Sequence, residues 1–231
     1  MANVEVLEHL EARAQGYAFL SALFLDVMSA SFLETLRDAP IQLEGYFGAF
    51  LEELRAPDAD LEQLRIDTAA EYNKLLLNMS ASPVFPYESP YLSDTHLMRQ
   101  EALDQVTALM RRAGFKPVDT LDFPADHIGV ELEFMGKLCL QEKEAHEAGD
   151  MAGALDAHLL QEKMLREHLL VWTKQFLDDF AARAKSDAYR GLIEMTDGHL
   201  GAEAEEFGLP WPPERILETP HAPDLRRAHY A

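Results

Sequence analysis

Apolar residues recur at intervals of three or four along nearly the whole chain, and this spacing is the feature that most limits how the chain can fold. Between Val6 and Met28 they mark one face of a long helix, and between Leu165 and Phe180 they form a second stripe. No segment has the apolar and polar alternation of a half-buried strand. The sequence therefore predicts an all-α fold, a helical bundle of about eight to ten helices.

Turn-forming residues divide this pattern into two helical parts. After the first helix, the spacing and the capping residues predict helices near 31–38, 41–54 and 58–78, from Ser93 to Ala113, from an Asp126 N-cap to Ala148, from Met151 to Ala184, and near 187–206. The predicted organisation is an N-terminal part (1–114), a hinge (115–125), a C-terminal part (126–207) and a tail (208–231). Five prolines in the tail exclude regular structure there.

Charge and cysteine content exclude several classes of function. The chain has 41 acidic and 20 basic residues, a formal net charge of −21, which repels nucleic acid. The single Cys139 excludes an internal disulfide and favours a reducing compartment. The first residues are acidic where a signal peptide is basic, and the longest apolar run, Tyr17 to Leu25, is too short to span a bilayer. We therefore expect a cytoplasmic protein with no integral membrane segment.

Motifs for catalysis, nucleotides and metals are missing from the sequence. Neither G-x-x-x-x-G-K-[ST] nor G-x-G-x-x-G occurs, so no phosphate loop is predicted. The one Glu-x-x-His spacing, Glu218 to His221, is interrupted by Pro220 and cannot supply a helical ligand pair. Cys139 falls on an apolar stripe and is expected to be a buried structural thiol. A helical enzyme or metal carrier would need inward-facing ligand pairs, and we predict no catalytic residue, no metal and no cofactor.

Three segments remain that can be read in two ways. In "RAQGYAFLSALF", Tyr17 is expected to be a core aromatic whose hydroxyl reaches the surface. The segment "EYNKLLLNMSASPVFPYESPYLSD" is either an ordinary connection or a functional loop that exposes backbone and aromatic edges. In "FPADHIGVELEFMGKL", Asp126 is either a plain N-cap, with His127 and Glu131 on a solvated face, or part of a binding surface.

The order and content of these segments, together with "EKMLREHLLVWTKQF", resemble the TorD family of redox-enzyme maturation chaperones over roughly residues 10 to 200. This family includes the dimethyl sulfoxide reductase and nitrate reductase assembly chaperones. The resemblance implies an all-helical cytoplasmic chaperone that catalyses no reaction. Its partners would be the twin-arginine signal peptide and the apoprotein of a molybdenum enzyme of the dimethyl sulfoxide reductase type, held for cofactor insertion before export.

The resemblance also implies a set of site residues. Carried over position by position, the peptide-binding residues are Tyr72, Pro86, Ser89, Tyr91, Asp126, His127 and Glu131. One departure is Ala125, since the family often has proline directly before the Asp-His step. The identity of the client and the choice between a monomer and a domain-exchanged dimer stay open. The alternative function is a helical protein-binding adaptor without signal-peptide recognition.

Overall fold

The computed structural model describes residues 4–77, 79, 83–115, 123–215, 217 and 220, and these residues are predominantly helical. The helices are α1 (Val4–Leu25), α2 (Ala30–Asp38), α3 (Gly45–Arg55), α4 (Leu61–Leu75), α5 (Glu88–Leu92), α6 (Glu101–Arg112), α7 (Ile128–Ala148), α8 (Met151–Met164), α9 (Leu170–Ala181) and α10 (Asp187–Glu206). The only extended pairing in these ranges is an isolated antiparallel bridge between Tyr87 and His127. The all-α prediction is confirmed.

Helix α7 is central to the packing. It lies along α1 on one side and pairs with α8 on the other, while α10 contacts α1, α3 and α9. A left-handed glycine, Gly149 with φ +73°, ends α7, and the Asp150 side chain accepts from the Gly153 N–H to begin α8. The antiparallel hairpin predicted for these two helices is therefore present.

Helices α8 and α9 form one rod interrupted by a π-helical turn, Leu165–Leu169, where a single helix was predicted. Turns of this kind hold one extra residue and are frequent at functional sites. The predicted stripe is buried along the rod: Leu165, Leu169, Trp172, Phe176 and Phe180. The apolar spacing thus identified the buried face correctly on both sides of the interruption.

Two predicted helix starts were wrong. Helix α6 begins at Glu101 rather than Ser93, because His96 and Arg99 adopt left-handed backbone with φ of 52° and 59°. The preceding proline-bearing stretch instead forms the short helix α5. Pro90 is compatible with it because the first turn of a helix has no internal partners for its N–H groups.

The division into two parts stays a prediction. Residues 116–122, which include most of the predicted hinge, lie outside the described ranges, as do residues 216, 218–219 and 221–231 of the tail. Buried apolar residues before and after the hinge belong to one continuous core. Within the described ranges, no helix combines the length and apolar character needed to cross a bilayer.

Candidate functional site

Residues 83–92 enter the core and are fixed to the start of α7 by main-chain hydrogen bonds. The Glu88 N–H donates to the Asp126 carbonyl at 2.9 Å, and the Ile128 N–H donates to the Pro86 carbonyl at 2.9 Å. These bonds flank the Tyr87–His127 bridge. The proline-rich segment and the Asp-His step, two motifs singled out in the sequence, are therefore directly paired.

The Asp126 side chain reinforces this pairing. Its Oδ2 accepts hydrogen bonds from the Ser89 N–H at 3.2 Å and from the Ser89 hydroxyl, whose oxygen accepts in turn from the Gln100 N–H at 3.0 Å. Its Oδ1 has no hydrogen-bond partner among the described residues. Burial raises the pKa of Asp126 by more than the bonds from Ser89 lower it. The carboxylate joins two segments and is not the predicted N-cap.

His127 is the N-cap of α7 in place of Asp126. Its Nδ1 accepts from the Gly129 N–H at 3.1 Å, and its ring stacks on Phe123 at 4.4 Å and meets Tyr87 edge-on at 4.9 Å between ring centres. Burial lowers the pKa of His127 to about 3, so the ring is neutral at physiological pH. The expectation that His127 and Glu131 lie on a solvated helix face was wrong, because both side chains are buried.

A buried polar cluster lies one turn further along α7. The Trp172 indole N–H donates to Glu131 Oε2 at 3.2 Å, and His168 Nδ1 lies 3.0 Å from each carboxylate oxygen of Glu88. Burial, and then the neighbouring charge of Glu88, raise the pKa of Glu131 well above its usual range. His168 belongs to the π turn, so this interruption of the rod supplies one member of the cluster.

The two predicted tyrosines are also buried. The Tyr91 hydroxyl donates to Asp179 Oδ2 at 3.2 Å, and its ring lies 5.5 Å from that of Trp172. The Tyr72 hydroxyl donates to the Phe24 carbonyl of α1 at 2.9 Å. Burial raises the pKa of both phenols.

The structure therefore brings six of the seven predicted residues into one contiguous cluster and ties the seventh, Tyr72, to α1 beside it. All seven are buried, and the segment expected to expose its aromatic edges packs inward instead. The sequence reasoning missed three members of the cluster: Glu88, His168 and Trp172. A usable signal was the four-residue spacing of His168 and Trp172, which places both on one helix face. That these residues contact a peptide stays a prediction.

A second buried cluster holds α1 to α10. Arg13 binds Glu203 through two N–H···O bonds of 2.8 and 2.6 Å, and the Tyr17 hydroxyl donates to the same carboxylate at 2.8 Å. Burial alone would raise the pKa of Glu203, but the bonds and charge of Arg13 lower it overall. Tyr17 is a core aromatic as expected, yet its hydroxyl does not reach the surface. In the described part of the chain, no group of three or more His, Cys, Asp or Glu side chains could hold a metal ion.

Comparison with known proteins gives a consistent result. A family model described as nitrate reductase delta subunit matches residues 23–178, a range that contains all seven predicted site residues. The chain is 25% identical over 207 residues to Chaperone protein TorD of Vibrio vulnificus (strain YJ016), covering 83% of this chain and 92% of that protein. Chaperone protein TorD of Aliivibrio fischeri is 25% identical over 197 residues, 80% of this chain and 89% of the relative. The resemblance inferred from the sequence motifs is confirmed.

Proposed function

The chain belongs to the nitrate reductase delta subunit family, and on this premise we propose that it is a maturation chaperone for a molybdenum enzyme. It binds the twin-arginine signal peptide and the apoprotein of a client of the dimethyl sulfoxide reductase type, in the cytoplasm, and holds them until the cofactor has been inserted. It catalyses no reaction. The observation that carries this proposal is the family match across residues 23–178, supported by relatives that are named chaperones.

The charge and apolar character of such a peptide suit this protein. A twin-arginine peptide brings two positive charges to a chain with a net charge of −21. Exposed ion pairs contribute only about 0.2–1 kcal/mol each. Burying roughly 600 Å² of apolar peptide surface is worth about 15 kcal/mol gross, against an association cost of about 4 to 15 kcal/mol. The apolar stretch therefore carries most of the affinity, and the arginines steer and discriminate.

The seven buried residues form the floor of the proposed site. Ser89 lines a surface cavity of about 320 Å³, and Tyr91 lines another of about 340 Å³. A peptide laid across these cavities reaches the buried cluster from the side of segment 83–92. Contact with Asp126, His127 and Glu131 requires that segment to open further.

A peptide titration tests the proposal. We expect the full-length protein to bind the signal peptide of the molybdoenzyme encoded beside its own gene with micromolar or tighter affinity. Polar substitutions in the apolar stretch should weaken binding more than replacing Arg-Arg by Lys-Lys. If no peptide from a panel covering dimethyl sulfoxide, trimethylamine oxide and nitrate reductases binds, the proposed function is wrong.

One observation favours the alternative, an adaptor that recognises only a mature protein surface. All seven predicted residues are buried, whereas Met151, Leu155 and Leu159 form an exposed apolar stripe along α8. An adaptor would bind the client apoprotein equally well with and without its signal peptide. The proposed chaperone should lose most of its affinity when the signal peptide is removed.

A further inference from the structure

The tail crosses the outer side of α9 and is packed against it. The Trp211 indole N–H donates to Asp197 Oδ1 of α10 at 3.1 Å. Leu217 is only 6% exposed and belongs to the hydrophobic core. The described part of the tail is therefore fixed at both ends, although it contains neither helix nor strand.

Two surface cavities flank the tail and share two of its residues. One, of about 460 Å³, lies between the tail and α9 and is lined by Val171 and Asp178 as well as by Arg215 and Leu217. The other, of about 340 Å³, lies beside the end of α5 and is lined by Tyr91 and the same two tail residues. Because Arg215 and Leu217 line both, the tail divides what is otherwise one groove running from α9 to α5.

The side chains along this groove suit a particular kind of peptide. Tyr91, Leu92 and Val171 provide apolar surface, and Asp94 and Asp178 provide negative charge, one in each cavity. Asp178 is partly neutralised by Lys174 at 2.8 Å, whereas Asp94 is exposed. The tail presents an exposed arginine and, two residues later, a buried leucine to these surfaces.

We propose that this groove is the docking surface for an extended client peptide in which an arginine precedes a large aliphatic residue, and that residues 211–217 occupy it as a built-in substitute. The inference rests on the proposed function and locates the binding surface within it. The client peptide has to displace the tail, so the tail sets a threshold for binding.

Tethering explains how a short segment competes. Prolines at 210, 212 and 213 favour an extended backbone, which lowers the entropy lost on docking. A segment attached to the same chain acts at an effective concentration on the order of millimolar. A weak intrinsic affinity is then sufficient to keep the groove occupied until a better ligand arrives.

The test uses the full chain and a synthetic peptide with two adjacent arginines followed by an apolar stretch. Leu217→Asp should expel the tail and raise the affinity for this peptide about fivefold or more. Val171→Asp should lower the affinity about tenfold or more by placing a charge on the apolar wall. Leu159→Asp, on the exposed stripe of α8, is the matched control and should change nothing. A free peptide copying residues 211–220 should compete with the synthetic peptide on the Leu217→Asp protein.

A second variant keeps the test decisive if Leu217→Asp does not fold. Arg215→Glu alters an exposed side chain and should also raise the affinity, because Asp94 and Asp178 would repel the tail. Unchanged affinity in a folded tail variant, or in Val171→Asp, overturns the inference, as does failure of the 211–220 peptide to compete. If instead neither the wild-type protein nor a tail variant binds any twin-arginine peptide, while the 211–220 peptide binds the tail variant, the proposed function itself has failed.

Discussion

The Asp126 carboxylate shows how burial changes the role of a residue that looks like a helix cap. It lies next to the start of α7, but its side chain is directed at Ser89 and leaves the capping to His127. The bonds it makes connect residues 37 apart in the chain. Its contribution is therefore to tertiary packing, and its loss should be felt in the stability of the whole fold.

We expect Asp126→Ala to lower the free energy of unfolding by about 1–3 kcal/mol, because the buried Ser89 N–H and hydroxyl lose their acceptor. Asp126→Asn should cost less, since its amide oxygen can still accept. Urea unfolding measures both, with the exposed Asp94→Ala as the control. An Asp126→Ala protein as stable as the wild type would contradict this account. Weaker peptide binding by an equally stable Asp126→Asn protein would support a role for the charge in the site.

Glu131 should make stability fall as pH rises. Because its folded pKa is raised, the native state binds this proton more tightly than the unfolded chain, so the stabilisation is present below the ordinary pKa and is lost as pH rises through the raised value. Glu131→Gln keeps the acceptor for Trp172 and removes the titration. Melting temperatures from pH 5 to 9 should show the variant gaining on the wild type towards alkaline pH.

The control for this series is Glu133→Gln, two residues away on the same helix. Glu133 pairs with Lys137 at 2.8 Å and is partly exposed, so its replacement should leave the pH profile unchanged. Parallel profiles for Glu131→Gln and the wild type would show that Glu131 is ionised in both states. The groups facing Glu131 are Glu88, Asp126 and Trp172, and only the two carboxylates could add a titration of their own.

Residue-level foresight reached as far as local pattern allows. Tyr91 and Glu131 were correctly singled out, yet the sequence did not predict the Glu88–His168 pair, whose members are 80 residues apart. A contact over that separation depends on how α5 meets the rod of α8 and α9, which no local spacing encodes. The same limit explains Asp126, since capping is local and its bond to Ser89 is not.

At the scale of helices, two glycines of α10 give a direct test of close packing. A Cβ on Gly191 would lie 2.4 Å from the backbone nitrogen of Phe47 in α3, whereas one on Gly198 would meet nothing within 4 Å. Replacing glycine by alanine inside a helix otherwise favours folding by about 0.5–1 kcal/mol. Gly191 therefore marks the point where α10 approaches α3 most closely.

Gly191→Ala should destabilise the protein by about 1–3 kcal/mol, because backbone has to move to relieve the overlap. Gly198→Ala on the same helix is the matched control and should stabilise it by about 0.5–1 kcal/mol. Thermal and urea unfolding distinguish the two. A stabilising Gly191→Ala would show that α3 and α10 are further apart than the structure has them.

The helices themselves were largely predictable because their apolar faces repeat with the period of the α-helix. The spacing placed α7, α10 and the long rod to within a few residues. It failed between Ser93 and Gln100, where two non-glycine residues adopt left-handed backbone that polar side chains alone do not reveal. Tertiary contacts such as that between Gln100 and Ser89 accompany this local structure.

For the whole molecule, the dominant property is its charge. A net charge of −21 makes the folded chain repel itself, and added salt screens that repulsion. Raising NaCl from about 20 to 300 mM, which shortens the Debye length below about 10 Å, should raise the melting temperature. The shift should shrink near the isoelectric point. A melting temperature that falls with salt would mean that ion pairs such as Arg13–Glu203 outweigh the repulsion.

The π turn in the rod has a consequence for how this chain tolerates insertions and deletions. One extra residue in a turn advances everything beyond it by about 100° around the helix axis. Removing a single residue from 165–169 would therefore leave α8 in place but rotate the phase of α9, carrying Trp172 away from Glu131 and Asp178 away from the tail. At this one point the reading frame of the helix surface, rather than any one side chain, decides which faces meet.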